Sequence, residues 1–303
     1  MSESNIPAIT VDNVSKSFAD KIAVRDLSFS VNCGEIFGLI GPNGAGKTTT
    51  IRMIMDIFKP DSGSITVLGK KLSDISKRDL GYLPEERGLY KKMRVIDTIV
   101  YLASLKGMDK SSAEAAATKL LVQTGMQAAR NKKVEELSKG MGQLIQFIVT
   151  VIHDPDLLVL DEPFTGLDPV NTDLLISMIM ELRNRKKTII FSTHQMNQVE
   201  ELCDRVLMID HGQNVLYGNL KEIKTKYRGN TVLLDFVGDL RSAEGTSVKH
   251  LGTGTAELEL SPGTTPAMVL MELLRSGVTI NRFEVATPSL HEIFLEVAGK
   301  RHE

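Results

Sequence analysis

Cysteine is scarce in this chain, with only Cys33 and Cys203 among 303 residues. The two lie far apart in the sequence and have no CxxC spacing, so no disulfide framework is indicated. A reduced, cytosolic compartment is the simplest interpretation of this composition. We expect both thiols to fill space in the core.

Long apolar runs are also missing. The longest, residues 144–152, is interrupted by Gln146 and Thr150 and is followed by Pro155. It falls well short of the ~20 residues that span a bilayer, so we expect that the chain does not cross a membrane by itself. The first residues, Met-Ser-Glu-Ser-Asn, are short and polar, which predicts no secretory signal.

The chain has no excess of basic charge. Its 36 Lys and Arg residues are balanced by 38 Asp and Glu residues, giving a net charge of −2. This balance does not suggest a nucleic-acid partner. The length predicts one large domain or two ordinary ones.

What the sequence does contain is a glycine-rich segment between an apolar run and a helical pattern. Residues 41–49, GPNGAGKTT, follow the run 36–40 and open a segment with helical apolar spacing up to Phe58. The spacing matches G-x-x-x-x-G-K-[ST], the phosphate-binding P-loop. An ordinary glycine-rich loop is the alternative, but it would not require the lysine, the threonine and both flanking elements. The candidate phosphate-binding residues are Gly41, Asn43, Gly44, Ala45, Gly46, Lys47, Thr48 and Thr49.

Each part of the P-loop has a physical role. Glycines let backbone N–H groups point at a polyphosphate, where a Cβ would block the approach or the required dihedral angles. The N-terminus of the following helix adds unpaired N–H groups and a positive dipole end. We expect Lys47 to reach the outer phosphates and the Thr48 hydroxyl to ligate Mg²⁺.

Two acids follow a second apolar run. Residues 157–160, Leu-Leu-Val-Leu, are typical of a parallel strand buried on both faces, and Asp161 and Glu162 come directly after them. We expect Asp161 to hold the Mg²⁺ shell and Glu162 to orient or polarise an attacking water. The alternative is a pair of capping or surface acids. The P-loop in the same chain favours the catalytic interpretation.

His194 ends another predicted buried strand, residues 188–191 extended by Ser-Thr-His. Carboxyl ends of parallel strands meet at one sheet edge, where ligands of open α/β sheets bind. A lone histidine is more often structural. In this position we expect a hydrogen bond to the γ-phosphate.

Alternation of predicted strands and helices favours an α/β fold with helices covering the sheet. The first two strands are predicted at residues 9–14 and 23–31, and a helix is predicted to begin at Ser112 as N-cap. The residue composition of the chain changes near residues 224–229. Beyond them we predict a small α+β domain with strands at 231–237, 255–260 and 278–285. Its helices are predicted to open at Thr265-Pro266 and Thr287-Pro288, and Gly299 is predicted to end the last one.

Together these motifs resemble an ABC ATPase, the nucleotide-binding subunit of an ABC transporter. The resemblance covers about residues 6–226 and includes LLVLDEP at 157–163, GLD at 166–168 and STH at 192–194. Residues 137–141, LSKGM, resemble the LSGGQ signature that separates this family from other P-loop NTPases. The resemblance implies a P-loop ATPase domain with a mixed sheet core, an antiparallel β subdomain and a helical subdomain at about 87–150. A small α+β domain at 228–303 would follow it.

The resemblance also implies roles for further residues. Phe18 aligns with the aromatic residue that stacks on adenine, and Ser138 and Gly140 with signature residues that contact the γ-phosphate in the opposite subunit. Glu85 stands where the family has a glutamine; its carboxylate could still ligate Mg²⁺ or a water. Glu86 fits that position less well, by one residue. The implied ligands are ATP and Mg²⁺.

The implied partners are a second ATPase subunit, packed head to tail as a homodimer, and a separate integral-membrane permease. The tail, with TPSLHEIFL at 287–295, is similar to an extension found on export-type members such as sodium and drug exporters. The protein would then be cytoplasmic and peripheral on the inner face of the cell membrane. The transported substrate is determined by the permease.

Two other functions stay open. One is an ABC-family ATPase that acts without a permease, on ribosomes or DNA. Ribosome-acting members usually carry two cassettes in one chain and DNA-repair members carry long coiled coils, and neither pattern is present here. The other is an ATP sensor with little turnover, weakened by Glu85 and by Lys139 and Met141 in the signature.

Overall fold

The computed structural model describes residues 6–19, 21–71, 74–76, 78–86, 88–227, 231–238, 240 and 244–302, with side chains as far as residue 297 in the last helix. The chain divides into two compact units, Met1–Leu220 and Lys221–Glu303. Helix α7 is numbered with the second unit below, although its first residue belongs to the first.

The first unit alternates strands and helices. In chain order they are β1 (Ile9–Phe18), β2 (Lys21–Val31), β3 (Ile36–Ile40), α1 (Lys47–Ile54), β4 (Ser62–Val67), β5 (Lys70–Lys71), β6 (Leu80–Leu83), α2 (Val95–Leu105), α3 (Lys110–Gln123), α4 (Lys139–Val151), β7 (Leu157–Asp161), α5 (Pro169–Asn184), β8 (Thr188–Thr193), α6 (Met196–Leu202), β9 (Arg205–Asp210) and β10 (Gln213–Asn219).

The strands form two sheets. One is antiparallel, in the order β2-β1-β4-β5, and the other has the order β10-β9-β3-β8-β7-β6. In the second sheet β9, β3, β8, β7 and β6 are parallel, and only β10 pairs antiparallel, with β9. Their inner strands are buried on both faces, as all-apolar runs predict. This confirms the predicted α/β class with a mixed sheet and an antiparallel β layer.

One hydrophobic core joins both sheets and α1. Phe29 on β2 stacks on Phe37 on β3 with ring centroids 5.6 Å apart, which links the two sheets directly. Ala45, in the loop between β3 and α1, belongs to this core and anchors the loop.

Helices α2, α3 and α4 share a separate core, built from the buried faces of all three. The predicted start of α3 at Ser112 is wrong. Asp109 is the N-cap, and its carboxylate accepts a hydrogen bond of 3.0 Å from the Ser112 backbone N–H. Asp168 is the N-cap of α5, because its side chain accepts from the Asn171 N–H at 2.9 Å and Pro169 opens the helix.

The second unit is α+β, as predicted. It contains α7 (Leu220–Lys226), β11 (Thr231–Val237), β12 (Thr246–Gly252), β13 (Thr255–Leu260), α8 (Pro266–Arg275), β14 (Thr279–Val285) and α9 (Leu290–His302). Its antiparallel sheet has the order β12-β13-β11-β14, and α8 packs its buried Val269 and Leu273 into the same core.

Some predicted boundaries need correction. Strand β1 extends to Phe18 and β2 begins at Lys21, whereas the predicted strands end at residue 14 and begin at residue 23. Helix α9 begins at Leu290, two positions beyond Pro288, and continues past Gly299. The core role predicted for Cys33 is also wrong, because that residue is exposed.

None of the helices in the described ranges has both the length and the apolar character needed to cross a bilayer.

Candidate functional site

A cavity of about 350 Å³ opens beside the loop between β3 and α1. The β1–β2 connection and the P-loop contribute most of its wall, and two acids complete it. The lining residues are Phe18, Lys21, Ala23, Asn43, Gly44, Gly46, Lys47, Thr48, Thr49, Glu85 and Glu162. Nine of these eleven residues are among the predicted site residues; Lys21 and Ala23 are not.

The loop reaches this shape through glycine backbone conformations. Gly46 has φ +111° and serves as N-cap of α1. A Cβ there would lie 2.5 Å from the Ala23 carbonyl oxygen, so only glycine fits. Gly44 has φ +80° and faces open space, with no atom within 4 Å of an added Cβ. Gly41 and Ala45 are buried under the loop and do not line the cavity.

Lys47 opens α1 and is almost fully buried, with 6% of its surface exposed. Its Nζ donates to the carbonyl oxygens of Gly41 at 2.8 Å and Pro42 at 3.2 Å, and lies 3.8 Å from Glu162 Oε1. Burial lowers the pKa of this amine, and the nearby carboxylates, Glu162 first, oppose that shift. The ammonium group is thus held at the cavity wall with donors available to an anion.

Asp161 ends β7 and is fully buried. Its Oδ1 accepts hydrogen bonds from Ser192 Oγ and, at 3.4 Å, from Thr48 Oγ1. Its Oδ2 has no partner. Burial raises the pKa of this carboxyl group, while the bonds from Ser192 and Thr48 act in the opposite direction.

Asp161 and Thr48 together fit a divalent cation. A buried carboxylate oxygen without a partner beside a threonine hydroxyl is a donor set that Mg²⁺ accepts. The described residues contain no cluster of three or more His, Cys, Asp or Glu side chains suited to a metal. A cation held here would also take ligands from phosphate oxygens and water, as Mg²⁺ commonly does at phosphate sites.

Glu162 follows Asp161 on a strained turn with φ +49°. Its backbone N–H donates to the Ser192 hydroxyl at 3.1 Å and the Ser192 carbonyl at 3.2 Å. Glu162 lines the cavity, and His194 Nδ1 lies 3.0 Å from its Oε1 and 3.1 Å from its Oε2, although His194 is not among the described residues of the lining. The structure thus brings Lys47, Asp161, Glu162 and His194 to one sheet edge.

Phe18 lines the cavity from the end of β1. It is 42% exposed, and its ring makes an edge contact with Phe58 at a centroid distance of 5.2 Å. The Lys16 ammonium lies 5.5 Å from its ring centroid. An aromatic face with adjacent positive charge suits a planar base.

Glu85 follows β6 and lines the cavity, close enough to interact electrostatically with both Lys47 and Asp161. Its backbone neighbours are anchored by a residue that the sequence did not single out as functional. Gln146 on α4 is buried, and its Nε2 donates to the carbonyl of Pro84 at 3.0 Å and, more weakly, to that of Glu86 at 3.5 Å.

Ser138 and Gly140 are not among the described residues that line this cavity. Ser138 is the exposed N-cap of α4, with its Oγ accepting from the Met141 N–H at 3.2 Å. It lines another groove, of about 250 Å³, together with Leu89 and Lys91.

Besides Gln146, three contributing residues were missed by sequence reasoning. Lys21 and Ala23 line the cavity only because β1 and β2 turn back beside the P-loop. Ser192 gave a usable signal, since it precedes His194 at the end of a predicted strand. The arrangement can bind a polyphosphate with a divalent cation and place one carboxylate where a water would attack.

Comparison with known proteins agrees with this chemistry. The family described as ABC transporter matches residues 24–165, and the family described as ATP-binding protein DrrA1-3-like, C-terminal domain, matches residues 218–298. Each match falls in a different part of the chain. The first contains the P-loop, the signature-like segment and Asp161-Glu162.

Full-length relatives extend the match over both units. The uncharacterized ABC transporter ATP-binding protein YhaQ of Bacillus subtilis is 43% identical over 97% of this chain and all of its own length. Nod factor export ATP-binding protein I of Rhizobium etli is 34% identical over 98% of this chain and 95% of its own. A solved ATP-binding subunit of an ABC transporter superposes with a TM-score of 0.68 at 29% identity, covering 73% of this chain and 93% of that one.

Proposed function

Because the chain belongs to the family of ABC transporter ATP-binding proteins, which are ATPases, we propose that it hydrolyses MgATP to drive export through a separate integral-membrane permease. The single observation that carries hydrolysis is the position of the Glu162 carboxylate, which lies between Lys47 Nζ and His194 Nδ1 at the cavity wall. We assign the ATPase to residues 6–226, with a helical subdomain at about 87–150, and a second domain to 228–303.

In the proposed reaction a water oxygen bonds to the γ-phosphorus as the bond to the β–γ bridging oxygen breaks, giving ADP and phosphate. Glu162 accepts the proton of the water and returns it to the products. His194 holds the Glu162 carboxylate in position through Nδ1, and when ATP is bound that donor would turn to a γ-phosphate oxygen. Lys47 moves from Glu162 to the outer phosphates, which frees the carboxylate to act as base.

Binding is divided among the other residues. Backbone N–H groups of the P-loop hold the phosphates, and Phe18 stacks on the adenine. Thr48 and Asp161 would hold Mg²⁺, with Glu85 contributing directly or through a water. When bound, the cation supplies positive charge at the phosphate oxygens as the transition state develops.

We further propose a head-to-tail dimer. Support comes from the separation of the P-loop cavity and the exposed Ser138 in one chain. In a dimer of two copies, Ser138 and Gly140 of one copy would contact the γ-phosphate bound at the P-loop of the other. ATP would then hold the interface together, and hydrolysis would release it by removing those contacts.

Export is the finer part of the proposal. It is supported by the name of the Nod factor export relative and by the match of the C-terminal unit to the DrrA1-3-like domain. The permease supplies the membrane-spanning part, so we propose a peripheral location on the inner face of the cell membrane. The second domain would regulate or strengthen dimerisation.

Purification from detergent-solubilised membranes tests the permease. We expect the tagged full-length chain to recover a multi-span membrane protein, and the ATPase activity of that complex to exceed that of the chain alone. Lys47→Ala is the control, because it should recover the same partner without the activity. Recovery with ribosomes and without a membrane protein would contradict export.

A further inference from the structure

The phosphate end of the cavity is unusually acidic for a site that takes a polyanion. Glu85 and Glu162 both line it, and Asp161 lies directly behind the Thr48 hydroxyl. Lys47 is the cation that interacts with all three of these carboxyl groups. The other lysine of the lining, Lys21, is the register partner of Phe18 where β1 and β2 meet.

Of these three acids, Glu85 is the one that an uncharged side chain could replace without loss of hydrogen-bonding capacity. A glutamine side chain has the same length and a carbonyl oxygen that can still ligate a cation or a water. The carboxylate of Glu85 is exposed, and it adds a full negative charge at the cavity wall, where it repels an approaching polyanion.

The position of Glu85 is fixed by packing. Strand β6 delivers the chain to Pro84, and Gln146 Nε2 donates to the carbonyls on both sides of Glu85, at Pro84 and Glu86. Gln146 is 4% exposed and belongs to α4, which is packed in the helical core. The backbone on either side of Glu85 is therefore anchored next to the cavity.

We propose that Glu85 makes this site selective for the metal complex of ATP and excludes metal-free ATP. The inference rests on the proposed nucleotide site and deepens it. With a divalent cation, the carboxylate becomes a ligand of that cation, directly or through a water, and its charge is compensated. Without one, the triphosphate would approach three carboxyl groups that Lys47 offsets only in part, and the repulsion lowers its affinity.

Equilibrium binding of ATP to the full-length chain, by calorimetry, tests this with two probes: ATP with MgCl₂ and ATP with EDTA. For the wild type we expect binding in EDTA to be weaker by more than about tenfold. For Glu85→Gln, the ratio of the ATP affinity in MgCl₂ to that in EDTA should be at least about tenfold smaller, chiefly because the variant binds ATP more tightly in EDTA. Glu85→Ala serves as a second variant if the first does not fold.

Glu86→Gln is the matched control, since it removes the same charge one residue away and Glu86 does not line the cavity. It should behave as the wild type. Equal binding of both probes by the wild type would overturn the inference and leave the nucleotide site standing, as would equal responses of the Glu85 and Glu86 variants. Failure of the wild type to bind either probe would overturn the nucleotide site itself.

Discussion

His194 Nδ1 lies 3.0 Å from one carboxylate oxygen of Glu162 and 3.1 Å from the other. An ionised carboxylate only accepts hydrogen bonds, so the Nδ1 position carries the proton in this contact. The imidazole therefore has its second nitrogen left for another partner. This geometry ties the proposed base to a residue on the neighbouring strand, and both ends of the contact can be tested.

Glu162→Gln should keep MgATP affinity and lose turnover. The amide preserves the size of the side chain but cannot take a proton from water, so we expect kcat to fall by about 10²–10⁴-fold. A dimer trapped with MgATP should be visible by size-exclusion chromatography. Hydrolysis at the wild-type rate by this variant would remove Glu162 from the mechanism.

His194→Ala tests the other end of the contact. Removing a group that positions Glu162 and faces the γ-phosphate should lower kcat by roughly a hundredfold and leave MgATP affinity nearly unchanged. Steady-state kinetics with a separate binding measurement distinguishes the two effects. An unchanged kcat would assign His194 a purely structural hydrogen bond.

Local patterns were sufficient for the centre of the site. The P-loop is a contiguous strand, turn and helix, and Asp161 and His194 each end a buried run, so the sheet edge they share follows from topology rules alone. The roles of these side chains remain predictions. Glu85 was reached only through the family resemblance, because nothing in its local pattern marks it.

Contacts between segments that lie far apart in the sequence could not be predicted from local patterns. Gln146 interrupts an apolar run, and in the sequence it looks like a break in hydrophobicity; its partner, Pro84, is 62 positions away. Strand β12 was missed because no residue of it is buried, so it lacks the alternation that marks a strand. Asp109 and Ser112 are both good caps, and only their mutual hydrogen bond identifies Asp109 as the N-cap.

Lys47→Ala should weaken MgATP binding by about tenfold to a hundredfold, the loss expected for charge-assisted hydrogen bonds to phosphate. Lys59→Ala is the matched control, since Lys59 is an exposed lysine paired with Asp56 and does not line the cavity. A direct binding assay reports both. If the two variants bind MgATP as the wild type does, the P-loop lysine has no part in binding.

Gln146→Leu should disturb Glu85 with little cost to the fold. The leucine removes a donor to Pro84, but it also removes a buried Oε1 that has no partner, so the unfolding free energy should change by less than about 1 kcal/mol. We expect faster hydrogen exchange at residues 83–86 and a smaller advantage of MgATP over metal-free ATP. Gln143→Leu is the control, because Gln143 on the same helix donates to Pro163 instead. Equal effects of both variants on that advantage would show that α4 packing, and not this contact, positions Glu85.

Asp161→Asn should stabilise the nucleotide-free protein at neutral pH. Burial raises the pKa of Asp161 in the folded state, so ionisation of this carboxyl group favours the unfolded chain. The penalty is absent below the pKa of the unfolded state and complete above that of the folded state, and the asparagine avoids it at every pH. We therefore expect a melting temperature a few degrees above wild type near neutral pH, with the difference shrinking as the pH falls.

For the control variant Asp168→Asn we expect a melting temperature below wild type. Hydrogen bonds from Asn171 lower the pKa of that exposed carboxylate, so its charge favours the folded state. A melting temperature below wild type for Asp161→Asn at neutral pH would mean that the bonds from Ser192 and Thr48 outweigh the cost of burying the charge.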